Sequence, residues 1–179
     1  LFGRAALPVV LAILNAPHLI EASLRDIQAR THVSLGSTQK VVKALRSAGY
    51  SRAPGPDATR GDREHWHRLL DGWVAAYAGG ARDTTLVGRY TSDFPIADLV
   101  ARGAQLPAVL SGEAASSLAG GDLRPATLDL YLHGTPGPLI TAARLRPDPE
   151  GSISVRKAPW TPLAEADVGV VLPEAMMWA

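Results

Sequence analysis

Apolar residues recur at helical spacing through the first third of the chain and then give way to shorter alternating segments. Residues 8–15 are apolar nearly all round, which predicts a buried helix. Two amphipathic helices are predicted after it, one over 24–31 with Ser23 as its N-cap and one over about 37–48 with Gly49 as its stop. A short turn separates these two helices. The segment therefore predicts a helix-turn-helix, and the three helices together predict the core of a winged helix.

The second helix of the pair has an apolar side and a polar, basic side. Val41, Val42 and Leu45 are predicted to point inward, which leaves amide and basic residues outside. Such a side suits the major groove of DNA, where lysine and arginine meet phosphates and guanine edges. Two alternatives are a three-helix packing unit with a solvated basic face and a protein–protein module of a DNA-processing assembly. The residues predicted to contact DNA lie on this helix and on either side of it: Ser34, Ser37, Thr38, Gln39, Lys40, Lys43, Arg46, Arg52, Arg60 and Arg63.

Residues 51–62 are rich in proline, glycine and charge, which predicts either a wing or a linker. Arginine side chains from a wing would contact phosphates, and Arg52, Arg60 and Arg63 are the candidates. A disordered linker with incidental arginines explains the same composition equally well.

An amphipathic helix is predicted over 64–77, with large apolar side chains that suit a core or a dimer contact. Short strands and helices then alternate, which is typical of a compact α/β domain. The predicted strands are 85–90, 105–110, 127–132, 153–156 and 168–172, and the predicted helices are 96–102, 113–119, 138–144 and 174–178. The predicted fold class is therefore α+β, with a winged helix-turn-helix domain over 1–62 and an α/β domain over 63–179.

Charge is distributed unevenly along the chain. Residues 1–70 carry a net charge of +5 and residues 71–179 a net charge of −4, within a total of +1. A basic first third suits a polyanion, and an acidic remainder suits a protein partner. The longest apolar stretch, 5–14, is too short to span a bilayer, so no membrane contact is predicted. The chain starts with Leu1 and stops inside a predicted helix, which suggests a fragment of a longer protein.

The sequence contains no cysteine, which excludes disulfides, thiolate catalysis and cysteine-ligated metal sites. A chain without cysteine fits the cytoplasm, which is the predicted location. His65 and His67 form the one histidine pair, but on a helix they diverge by about 200°. No metal site and no cofactor are therefore predicted.

Residues 110–132 are the segment most suggestive of an enzyme. A strand, a glycine turn and a helix precede a second strand carrying Asp129, an order that resembles nucleotidyltransferase-fold proteins. Active members place two metal-binding carboxylates two residues apart, but the second position here is Tyr131. The predicted domain is therefore a degenerate nucleotidyltransferase fold with no catalytic residues. The alternatives are an ordinary strand–helix–strand unit and an active enzyme that pairs Asp129 with Glu113 or Asp122.

Several segments in order resemble one family. These are VSLGSTQKVVKALRSAGY, RLLDGWVAAYA, LVGRY, SGEAASSLAGGDLRPATLDLYL and RLRPDPEG. The chain is similar to the AbiEi family of antitoxins and transcriptional regulators of type IV toxin–antitoxin (abortive infection) systems. The resemblance covers nearly the whole chain, and the fourth segment is its most specific part.

The resemblance implies a bacterial repressor that binds repeats in its own promoter and opposes a cognate nucleotidyltransferase toxin. Its partners would be double-stranded DNA and that toxin, with the oligomeric state open and a dimer on DNA the common arrangement. By position, Ser37, Gln39, Lys40 and Lys43 would read or grip DNA. No catalytic role is implied. The segment at 51–62 lacks the dense basic run expected of a wing.

Overall fold

Capping residues and prolines set the boundaries of the N-terminal helices. Thr59 begins the longest of them, because its hydroxyl accepts the N–H of Asp62 while the Asp62 carboxylate accepts the N–H of Thr59. This capping box starts the helix four residues before the predicted position. The helices are α1 (Ala6–Asn15), α2 (Leu24–Thr31), α3 (Leu35–Ser47) and α4 (Arg60–Ala76), with a 3-10 turn (Pro17–Glu21) between the first two.

The computed structural model describes residues 2–3, 5–118, 120 and 122–159. Within them the chain divides into two compact units. The helical unit runs to Arg82 and includes Pro159, and the sheet unit is formed by Asp83–Ala158. The sequence pattern suggested a domain boundary after residue 62. The division falls later because α4 packs with the helices that precede it.

Residues 51–59 contain no strand, so the wing predicted over 51–62 is not formed in this structure. Pro54 and Pro56 lack backbone N–H groups and have fixed φ angles, which prevents a regular β-ladder at their positions. Residues 60–62 belong to the first turn of α4. The alternative prediction, a linker, therefore applies to residues 51–59.

The sheet unit combines a five-stranded sheet with three short helices. Its strands follow the order β2-β3-β5-β1-β4, with β3 parallel to β5 and the other pairs antiparallel. The elements are β1 (Leu86–Ser92), α5 (Ile96–Ala101), β2 (Val109–Ser111), α6 (Gly112–Leu118), β3 (Leu128–Leu132), α7 (Gly137–Ala142), β4 (Leu145–Pro147) and β5 (Ile153–Lys157). The described residues thus form the predicted mixture of helices and strands.

The two faces of the sheet differ in character because side chains alternate along each strand. One face carries the apolar core, to which β3 contributes Leu128, Leu130 and Leu132. The other face carries a polar row, in which Ser111, Asp129 and Ser154 lie opposite one another on β2, β3 and β5. The second face therefore carries polar and charged side chains of these strands.

The predicted and observed elements of the sheet unit agree closely up to residue 157. Three predicted strands and three predicted helices occur with small boundary shifts, the strand predicted over 105–110 is confined to β2 at its end, and β4 is new. Its sequence, Leu-Arg-Pro, is too short to show alternation, so pairing with β1 defines it. The strand predicted at 168–172 and the helix predicted at 174–178 lie outside the described residues.

Candidate nucleic-acid interface

Two serine caps and one left-handed residue set the ends of α2 and α3 and the turn between them. Ser23 accepts the N–H of Asp26 at 3.2 Å, which confirms the predicted N-cap of α2. His32 adopts φ +51° and ends α2. Ser34 then accepts the N–H of Ser37 at 3.4 Å and caps α3. Because Ser34 is the cap, α3 begins at Leu35, slightly earlier than predicted.

The inward side of α3 packs in the core of the helical unit. Val42 and Leu45 are buried, as predicted, together with Ile27 of α2 and the apolar residues of α1. Trp73 of α4 is also buried, and its indole N–H donates to the carbonyl of Leu7 at 2.8 Å. The apolar side of α3 therefore packs in the core, and its outward side is left largely exposed.

The outward side of α3 carries the polar residues that remain accessible. Gln39, Lys40 and Lys43 are exposed, and neither lysine amine has a hydrogen-bond or ion-pair partner among the residues that the structure describes. Residues three and four apart share one side of a helix, so Gln39 and Lys43, and likewise Lys40 and Lys43, are neighbours. This side presents two unneutralised positive charges and one amide to solvent.

Thr38 was predicted to contact DNA, and this prediction is wrong. Its side chain is fully buried, and its hydroxyl donates to the carbonyl of Val33 at 3.4 Å. The spacing of Thr38, Val42 and Leu45 is i, i+4 and i+7, which is the spacing of an inward stripe. That spacing was the available signal, and the polar character of threonine concealed it.

Three other predicted contact residues have structural roles on the helical unit. Ser34 is the cap described above, and its hydroxyl also donates to the hydroxyl of Ser37 at 3.0 Å. Arg46 is exposed, but one guanidinium N–H donates to the carbonyl of Ile20 at 2.8 Å. Arg46 therefore ties the end of α3 to the 3-10 turn, with the rest of its guanidinium facing outward.

The three arginines after α3 are exposed, but two of them have partners inside the chain. Arg60 pairs with Glu64 at 2.7 Å, and Arg63 donates two hydrogen bonds to the carbonyl of Ala58 at 3.1 and 3.2 Å. Arg52 has no such partner among the described residues. The structure places Arg60 and Arg63 on the first turn of α4 instead of on a wing.

The histidine pair does not converge. His65 stacks on the ring of Tyr50 with 4.1 Å between centroids, and its Nδ1 lies 3.1 Å from a guanidinium nitrogen of Arg68. Burial raises the pKa of Tyr50, and the nearby charge of Arg68 partly opposes this effect. His67 is exposed. Within the described ranges no three histidine, aspartate or glutamate residues are grouped as a metal site requires.

The mostly buried Asp129 and the buried Arg156 form an ion pair on the polar face of the sheet. The Nε of Arg156 donates to Oδ1 of Asp129 at 2.9 Å, and the two side chains are only 2% and 13% exposed. A guanidinium at this distance neutralises the carboxylate. Sequence reasoning identified Asp129 but missed Arg156. Its signal was local, since Ser154 and Arg156 alternate with the apolar Ile153 and Val155 along β5.

The predicted strand–glycine–helix–strand layout occurs around this pair. Gly112 has φ +63°, and a Cβ there would lie 3.2 Å from Oδ2 of Asp129, so glycine suits both the turn and the neighbouring carboxylate. Glu113 accepts the backbone N–H groups of Ala126 and Thr127 at 2.9 and 3.3 Å. Asp129 and Glu113 thus have partners within the fold, and Asp122, the other candidate, is exposed.

None of the helices in the described ranges combines the length and hydropathy that crossing a bilayer demands.

A protein-family model supplies the class of protein. The model, described as a transcriptional regulator, the AbiEi antitoxin of type IV toxin–antitoxin systems, matches residues 65–179, nearly two-thirds of the chain. The chain belongs to the AbiEi family, as the sequence segments predicted. Comparison with curated proteins and with solved structures found no match. The matched region starts within α4, so the helix-turn-helix lies before it.

Proposed function

We propose that this regulator binds double-stranded DNA through the outward side of α3 and represses transcription from repeats in its own promoter. One observation carries the proposal. Gln39, Lys40 and Lys43 face solvent on one side of a capped helix whose opposite side is packed, and the two lysines have no partner in the described chain. The second helix of a helix-turn-helix enters the major groove in many regulators, and lysines there neutralise phosphates or contact bases.

Family membership supports the regulatory part of the proposal, because the family consists of transcriptional regulators and antitoxins. Repeated promoter sites suit two copies of the helix-turn-helix on one duplex, so we propose a dimer on DNA. Because a regulator of this kind acts on bacterial DNA, we propose that it is located in the cytoplasm. We also propose that the sheet unit opposes the cognate nucleotidyltransferase toxin. Coexpression of the two genes tests this, because the regulator should restore growth that the toxin arrests.

Reversal of the two lysine charges tests DNA binding. In the variant with Lys40→Glu and Lys43→Glu, duplex affinity measured by fluorescence anisotropy should fall more than about a hundredfold at low salt. The unmodified chain should lose affinity steeply as salt rises, because phosphate contacts release counterions. The matched control changes two exposed cations of the sheet unit, Arg124→Glu and Lys157→Glu, and alters net charge by the same amount.

The proposal fails if both double variants bind DNA equally well. It also fails if the unmodified chain has no affinity for duplex DNA at low salt while it holds a protein partner tightly, which is the outcome that a protein–protein module predicts. Circular dichroism of the lysine variant should match that of the unmodified chain, since both lysines are exposed.

We further propose that the chain is not an enzyme. Magnesium binding needs anionic oxygen ligands, and the carboxylate of Asp129 is paired with Arg156 while the carboxylate of Glu113 accepts two backbone N–H groups. Nucleotide incorporation assayed with Mg²⁺ or Mn²⁺ should therefore stay at background. Incorporation that Asp129→Ala abolishes would establish the opposite.

A further inference from the structure

The first turn of α3 has two features that the fold of the helical unit does not explain. Leu35 begins the helix with a side chain that is 41% exposed, one of five large apolar side chains that stand out from the described surface. Gly36 follows in ordinary helical geometry with no positive φ, and a Cβ on it would meet nothing within 4 Å. Alanine at this position would fit the structure and stabilise the helix.

Gly36 lies on the side of α3 that also carries the free cations, and Leu35 lies at the edge of that side. At 100° per residue, the five exposed positions span one arc of about 140°, with Leu35 at the end of the arc that borders the buried Val42; they are Leu35, Gly36, Gln39, Lys40 and Lys43. An apolar side chain and a bare backbone position therefore sit beside an amide and two lysines, at the end of the helix that enters the groove first.

This combination fits the floor of the major groove. Each thymine presents a 5-methyl group there, and an aliphatic side chain is the group that recognises it. A residue without a side chain next to it allows the helix backbone to come close to the base edges. Lysines on the same side suit the phosphates that border the groove.

We infer that Leu35 is a specificity-determining residue that contacts the 5-methyl group of a thymine, and that Gly36 permits the close approach that this contact needs. The inference rests on the proposed function, since it assigns a base-reading role within the same DNA interface. It predicts a thymine preference at one position of the binding site that Lys40 and Lys43 by themselves do not supply.

The first experiment identifies that position. The full chain and its Leu35→Ala variant each select from a duplex library with about 20 randomised base pairs, enough for two half-sites one helical turn apart. The unmodified chain should enrich a thymine that the variant does not enrich. The control Leu123→Ala removes a similarly exposed apolar side chain from the sheet unit and should leave the selected sequence unchanged.

The second experiment removes only the methyl group. Replacing the selected thymine by deoxyuridine should weaken binding of the unmodified chain about fourfold, the ratio expected when one methyl group leaves an apolar contact. Binding of the Leu35→Ala variant should not respond to the same change. Because this measurement alters the DNA, it reports on the contact in the unmodified chain as well as in the variant.

The third experiment separates binding from folding at Gly36. The variant Gly36→Ala should melt at the same temperature as the unmodified chain or higher, yet bind the selected duplex at least about tenfold more weakly, because the methyl group occupies space that a packed contact needs. Gly137→Ala is the matched control, since it adds a methyl group at an open position at the start of α7 in the sheet unit.

The outcomes distinguish the inference from the proposed function. If the unmodified chain selects no sequence and binds no duplex, the proposed function is wrong. If it binds duplex DNA but Leu35→Ala and deoxyuridine leave affinity and preference unchanged, DNA binding stands and the role of Leu35 is refuted. Unchanged affinity of Gly36→Ala would refute the close approach in the same way.

Discussion

Charged residues are used in opposite ways in the two units. In the helical unit, Lys40 and Lys43 project from a side of α3 that packing does not use, and neither has a partner in the described chain. In the sheet unit, Arg156 is buried and binds the mostly buried Asp129. An exposed cation keeps its charge available to another molecule, whereas the two charges of a desolvated pair neutralise each other, so that removing one leaves the other uncompensated. The exposed lysines of α3 are therefore the charges that another molecule can contact.

The largest predicted effect is a loss of stability when the ion pair of the sheet unit is disrupted. Replacing Arg156 by methionine leaves the Asp129 carboxylate buried without its guanidinium, which should lower the free energy of unfolding by about 3–5 kcal/mol. Urea denaturation of the full chain measures it. The control Lys157→Met removes the exposed charge next to it and should change that free energy by less than about 0.5 kcal/mol. Equal stability of the two variants would show that the pair is not what holds this face of the sheet.

A smaller effect is predicted in the helical unit, where replacing an exposed lysine should change DNA affinity and leave stability nearly unchanged. Lys43→Met applies the same kind of change to an exposed lysine of α3, so the free energy of unfolding should change by less than about 0.5 kcal/mol. DNA affinity should fall, and the slope of its logarithm against the logarithm of salt concentration should decrease by about 1, as expected for one lost phosphate contact. A salt titration by anisotropy measures the slope. A large loss of stability without a change in slope would show that Lys43 serves the fold and not DNA binding.

The smallest predicted effect concerns the cap of α4. Hydrogen bonds from Thr59 lower the pKa of Asp62. A carboxyl group with a lowered pKa stabilises the fold above its unfolded pKa and loses that contribution as pH falls through the folded value. Asp62→Asn should therefore lower Tm slightly at neutral pH, and the difference from the unmodified chain should shrink below about pH 4. Thermal melts across this pH range measure it. Asp57→Asn, an exposed acid of the linker, should show no such trend.

Local signals predicted α2 and α3 well. A serine cap, an apolar stripe and a terminal glycine fix α2 and α3 through contacts between residues close in sequence, so Ser23 and Gly49 were identified correctly. The same reasoning failed at Thr38, because a threonine on an inward stripe buries its methyl group and satisfies its hydroxyl with a nearby carbonyl. Residue type alone does not show whether a threonine on a helix is exposed or buried.

The linker was harder to interpret. Proline, glycine and charge suit both a wing and an irregular connection, and the capping box of Thr59 and Asp62 decided where the next helix begins. As a result Arg60 and Arg63 lie on α4, where each has a partner within the chain. For either arginine to contact DNA, it would have to exchange these weak surface contacts for phosphates.

The sequence by itself determined the class of this protein, the two kinds of architecture and the helix that carries the exposed lysines, because caps, periodicity and family motifs are local properties of the chain. Only the tertiary structure decided that Asp129 is neutralised. Its partner Arg156 is distant in sequence and reaches it through the parallel pairing of β3 with β5. Tertiary packing also left Leu35 and Gly36 uncovered, since burial depends on which other elements reach a position and not on the residue that occupies it.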